Sequence, residues 1–361
     1  GGGGASTNVT AKISQFGVFT QSITAGSGGI TVNGGNGSGG GNLAVIAQPN
    51  AAGSQSIIVN GGNVSLLGGT GAASNSAGIN SSGTGVTSQS ITVNNAASVS
   101  VVAQTGDAQI GSSGNQTLNI TGAASANALT VGSASSTNIS EIFGNNQSIT
   151  AGTTGNLNGS ITILGGTGQV KPSQIRNITG AQTVSTIGQL TLTGGTAIGA
   201  GGTGCGPAGA GSCATVSNAS NVTGPTGLQH ITANKIVMTG GQGTTGVFNS
   251  AGIFVNGGDS TIDVVGNVAT GGLVMLGGDG GASGGNNVTI GGGNSAGSTL
   301  TLNVTGNTTI TGGSTTGSAA NIGLFSPTGG DLKTITVNLN ATGTPHGSVA
   351  LSGGVAGAFA A

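Results

Sequence analysis

From Gln89 to Gly106 the chain reads QSITVNNAASVSVVAQTG. Apolar and polar positions alternate with a period of two, which predicts strands. Ile91 and Val93 fall on one face of the first, and Ser90 and Thr92 on the other. A second strand, VSVV, follows after an Asn- and Ala-containing turn.

Aligned on its opening tetrapeptide, the phrase recurs at Gln21, Gln55, Gln89, Gln116, Gln147, Gln182 and Gln229, and more loosely at Ser260, Ser298 and Lys333. The spacings run from 27 to 47 residues. Each copy carries a second strand, often closed by Gly-Gly, as in NVSLLGG (Asn63 to Gly69) and KIVMTGG (Lys235 to Gly241). Most carry a third, weaker apolar stretch, such as AGIFVNG (Ala251 to Gly257). Three short strands per unit, each apolar on one face, predict an all-β, right-handed parallel β-helix (β-solenoid) of about ten three-sided coils. One coil alone cannot fold. Its five or six buried aliphatic side chains contribute about 1.5–3 kcal/mol each. Ordering each of its residues costs about 1–2 kcal/mol. Stacked neighbours supply the remainder.

The alignment places Ile23, Ile57, Ile91, Leu118, Ile149, Val184, Ile231, Ile262, Leu300 and Ile335 in one core column. Residues 21–344 are expected to form the solenoid, with an insertion at about 196–228. Residues 1–20 and 345–361 are expected to be an N-terminal half-coil and a C-terminal coil end.

Composition changes this picture in two ways. The 80 glycines first suggest a flexible chain, but an apolar fraction of 34% and a net charge of −1 argue against disorder. Five Lys+Arg with no basic stripe exclude nucleic acid as a regular partner. No apolar run is long enough to span a bilayer as a helix. The chain has no initiator Met and no signal-peptide pattern, so it reads as a mature or fragmentary product.

Candidate chemistry is sparse. Asp259 and Asp263 are the only carboxylates close in sequence, and no sugar platform stands beside them, so they read as solvated side chains. His230 and His346 have no second ligand in sequence reach. The glycine-rich loops lack the context of a phosphate cradle. No catalytic group, metal or cofactor is expected. Cys205 and Cys213 have no His or further Cys nearby, which disfavours zinc. A local disulfide in an oxidising compartment is the better reading, and two inert thiols the other. An outward row of Thr24, Thr92, Thr150, Thr232, Thr301 and Thr336 raises an ice-binding alternative. Ile58, Asn119, Ser185 and Asp263 interrupt it, and Thr is in any case a good exposed strand residue.

The phrase Q-[ST]-I-[TN], followed by a Gly-Gly-closed strand and an Ala-x-Ile stretch, resembles the repeats of bacterial filamentous-haemagglutinin-like surface proteins. The resemblance covers roughly Ala11 to Gly354. It implies a secreted solenoid that serves as an adhesin or exoprotein scaffold. No amino-terminal secretion domain or interrupting binding domain resembles the family's, which favours a bare shaft. The expected role is therefore structural: a subunit of an extracellular bacterial filament or matrix fibre, with itself as partner. An adhesin shaft that binds a cell surface or glycan is the alternative. The repeat begins on a third side and ends on a second, so one copy's start would complete another's last coil. Ile13, Phe16, Phe19, Val355 and Phe359 are the expected contacts of that head-to-tail joint.

Overall fold

The computed structural model describes residues 8–50, 52–72, 74–82, 88–95, 97–122, 127–152, 159–167, 172–196, 211–218, 227–243, 249–256, 258–279, 285–292, 297–315, 318–323, 332–339 and 347–354. They form an all-β solenoid in which every pairing between strands is parallel. Its strands fall on three sides.

The first side begins with Thr20–Ala25, Ser54–Asn60 and Ser88–Asn94 and ends with Thr299–Val304 and Thr334–Leu339. The second runs from Ile30–Asn33 through Val64–Leu67 to Val349–Ser352. The third runs from Thr10–Ser14 through Leu43–Gln48 to Ala320–Ile322. The long strands Ala108–Ile120 and Ser140–Ala151 turn a corner and serve both the third and the first side. Gln182–Thr193 and Gln229–Thr239 do the same for the first and second. The stack amounts to about eight turns, slightly fewer than the ten aligned copies.

Alternation places one face of each strand inside. On the third side, Ile13, Ile46, Ile79, Ile110, Ile142, Ile175, Val216, Ile253, Ile290 and Ile322 stand in register. All but the first and last are buried. On the first side Ile57, Ile91, Leu118, Ile149, Val184, Ile231 and Ile262 are buried in one row, and Ile23 packs against it half-buried.

The expected row then departs from the structure. Ser260 pairs with Leu300 and Ile262 with Leu302, and Leu300 in turn pairs with Ile335. The row of Ile262 thus continues through Leu302 and Val337. Leu300 and Ile335 occupy the position that Gln holds earlier. The slip is two residues. An even slip leaves the apolar face inside, so alternation alone cannot detect it.

Gly-Gly closes the second strand because nothing larger fits. A Cβ on Gly195 would collide with the carbonyl oxygen of Gly166, one on Gly241 with that of Gly195, and one on Gly278 with that of Gly241. These corners are backbone stacked on backbone.

Candidate functional site

The aligned glutamines share parity with Ile91 and Val93, and they point inward. Gln89 Nε2 donates to Gln55 Oε1 at 2.9 Å, and Gln55 Nε2 to Gln21 Oε1 at 2.7 Å. The row continues through Gln116, Gln147, Gln182 and Gln229, each donating to the one before at 2.7–2.8 Å. Ser260 closes it, its hydroxyl donating to Gln229 Oε1 at 2.7 Å. The second amide hydrogens reach third-side carbonyls, as from Gln89 to Ile79 O at 3.1 Å and Gly111 O at 3.0 Å. The row therefore ties the first side to the third at their shared corner. A buried amide must be satisfied, and each member here satisfies its neighbour. Beyond Ser260 the position turns apolar with Leu300 and Ile335, and the amide row ends there.

Polar chemistry elsewhere on the shaft is dispersed. Glu141 is buried, and its Oε1 accepts from Arg176 Nε at 2.8 Å and from Gln174 Nε2 at 2.7 Å. The Arg176 guanidinium stands 5.8 Å from the centroid of the Phe143 ring. This reads as a satisfied structural pair.

His230 has a partner that the sequence concealed. Its Nε2 lies 2.8 Å from Asp263 Oδ2, one coil away, and Thr232 Oγ1 approaches the same nitrogen at 3.4 Å. A hydroxyl sharing Nε2 with the carboxylate is not a nucleophile–base–orienter chain. Asp259 is separately engaged, accepting the Thr299 backbone N–H at 2.8 Å. Asp263 Oδ1 accepts from Asn303 at 2.8 Å. Among the described residues no group of three or more His, Cys, Asp or Glu could hold a metal, and no helix is long and apolar enough to cross a membrane. His346 lies outside the described residues.

The register also redraws the Thr row. Thr301 pairs with Thr261 and Thr336, so both belong beside Ser22, Ser56 and Ser90 rather than beside Thr24 and Thr92. Cys213 is buried and disulfide-bonded at the start of the third-side strand Ala214–Asn218. Cys205, the other cysteine of the chain, lies outside the described residues.

Large apolar side chains are exposed chiefly at the two ends. At the leading end Ile13, Phe16, Val18 and Phe19 are 57–70% exposed. Side-chain amides hold the backbone of this segment in place: Asn50 Nδ2 donates to Phe16 O at 2.9 Å, and Gln48 Nε2 to Phe19 O at 2.8 Å. Lys12 Nζ sits 4.6 Å from the Phe16 ring centroid. A cavity of about 550 Å³ opens here, lined by Ile13, Ile23, Ile30 and Val32 among others. At the trailing end Ile335, Val337, Val349 and Leu351 are exposed. Val355 and Phe359 lie outside the described residues. Comparison with family models, with curated proteins and with solved structures returns no match for this chain.

Proposed function

We propose that the chain is a structural subunit of an extracellular bacterial filament or matrix fibre, and that copies join head to tail by stacking their solenoid ends. The observation that carries this reading is the placement of exposed apolar bulk. Nine of the large exposed apolar residues, Val9, Ile13, Phe16, Val18, Phe19, Ile335, Val337, Val349 and Leu351, belong to the two end coils. Unpaired strand edges with apolar side chains are templates for pairing with another chain. A net charge of −1 offers little repulsion against stacking. The disulfide at Cys213 supports an oxidising, extracellular location. The resemblance of the repeat to filamentous-haemagglutinin-like proteins supports a bacterial, secreted origin.

An adhesin shaft is the second reading. Its support is the row on the outside of the first side from Ser22 through Ser56 and Ser90 to Thr336, a line of Ser and Thr hydroxyls interrupted at His230 that a glycan could bond. Electron microscopy of the purified protein tests both. Uniform filaments micrometres long are expected. Monodisperse short rods that bind cells would overturn the filament in favour of the adhesin.

A further inference from the structure

We infer that the joint between two copies is an in-register continuation of the solenoid's own rows, with the leading coil of one chain seated on the trailing coil of another. The inference rests on the filament reading and specifies its interface.

The aliphatic rows of the core begin and end on aliphatic side chains, and at the trailing end these are exposed or half-buried. The isoleucine row of the third side starts at Ile13 and ends at Ile322. A second copy that follows the same register sets its Ile13 on Ile322. The first-side row that starts at Ile23 passes through Ile262 and Leu302 to Val337, so Val337 meets Ile23. The second-side rows end on Val349 and Leu351, which meet Ile30 and Val32. Four of the residues so met, Ile13, Ile23, Ile30 and Val32, line the leading-end cavity. The trailing end therefore offers the aliphatic side chains that this cavity lacks.

At the corner, Ile335 would lie over Gln21. Gln21 Oε1 accepts from Gln55, and its Nε2 donates to Ala47 O at 3.1 Å and to Ile13 O at 3.5 Å. The amide row therefore stops at the seam, with both hydrogens of Gln21 on carbonyls of its own chain. Leu300 and Ile335 give the trailing end an apolar corner. Two positions earlier, Lys333 falls beside Phe19 of the second copy, a cation against an aromatic ring. All strands are parallel, so the edge of Thr334–Leu339 that has no partner among the described residues faces the corresponding edge of Thr20–Ala25 in the direction a parallel ladder needs.

The test is a cysteine pair on the outer face. The register sets Thr336 beside Ser22 of the next copy, and both are exposed. Adjacent strands stand about 4.8 Å apart, within disulfide range. Filaments of the S22C/T336C variant, oxidised and run without reductant, should give a ladder of covalent multimers. The S22C/N338C variant reports a joint slipped by two residues and should give none. Filaments that cross-link only through S22C/N338C, or through neither pair, overturn the register while leaving the filament intact. A parent protein that stays monodisperse overturns the filament reading, and the joint with it. The axial repeat gives a second readout. Among the described residues ten strands stack on the first side. A gapless joint therefore requires a repeat of about 48 Å, at about 4.8 Å per strand. A repeat longer by a strand spacing or more would mean that other material fills the seam.

Discussion

Gln89 donates its side-chain amide to Gln55 across one coil at 2.9 Å, and both side chains are 1% exposed. The bond is one link of a buried amide row, and removing a link affects two neighbours. In Gln89→Leu, Gln55 Oε1 loses its donor and Gln116 Nε2 loses its acceptor. An unsatisfied buried group costs about 1–3 kcal/mol. Urea denaturation should therefore show a loss of about 2–5 kcal/mol. A loss below 1 kcal/mol would mean that the row contributes little to the fold.

Gln89→Glu makes the same point through pH. Burial raises a carboxyl's pKa above its free value of about 4.3. The protonated acid keeps an O–H for Gln55 Oε1, while the carboxylate has none. With the folded pKa raised, the variant's stability is fullest below the unfolded pKa and is lost as pH rises through the folded one. Relative to the parent, the variant should be closer in stability at pH 4 than at pH 8. Equal gaps at both values would contradict burial of the position.

The middle of the first-side row and the apolar corner of the trailing coil should answer differently to charge. Ile149 is fully buried in mid-stack. Ile149→Asp places an unpaired carboxylate there, at a cost of several kcal/mol, and should prevent folding. Ile335 is 42% exposed on the trailing coil. Ile335→Asp should leave circular dichroism and melting nearly unchanged. If Ile149→Asp melts like the parent, the assignment of faces fails.

Most of the fold was legible in the alternation, since Ile91 and Val93 declare an inner face and the repeat declares the stack. The glutamines were the part that parity offered and polarity hid. Gln89 shares its face with Ile91, yet a polar side chain is ordinarily placed outside. The two-residue slip at Leu300 was not legible, because it preserves every inward position. Nor was the pairing of His230 with Asp263, which depends on which coils are neighbours and not on local pattern.

Reduction should act locally. Cys213 is disulfide-bonded, and the only other cysteine stands eight positions earlier. A short closed loop restricts the unfolded chain modestly, by at most about 2–3 kcal/mol. The Cys213 carbonyl accepts from Ser173 N at 2.8 Å whatever the state of its sulfur. Reduced protein should keep its strand signal and lose protection from proteolysis only near residues 196–228. Global unfolding on reduction would contradict a local role, and two titratable thiols in native protein would contradict the bond.

The Gly-Gly corners give the last test, because one motif should respond in two ways. At Gly241 a Cβ would meet the Gly195 carbonyl oxygen and come within 2.6 Å of the Asn249 Cβ. Neither is the free end of a flexible side chain, so the backbone of two coils must move. Overpacking of this kind costs about 1–3 kcal/mol. Gly353 is the first glycine of the same motif in the trailing coil, and among the described residues nothing lies within 4 Å of an added Cβ there. Its φ is not in the left-handed region. Alanine there reduces the freedom of the unfolded chain and should be neutral or stabilising, by up to about 1 kcal/mol. Thermal melts should then rank Gly353→Ala at or above the parent and Gly241→Ala clearly below it. The two variants also separate the shaft from the seam. Gly353→Ala adds a methyl group where a second copy would stack, so the same substitution that leaves the single chain untouched should slow elongation. Equal elongation rates for Gly353→Ala and the parent would move the seam away from this corner.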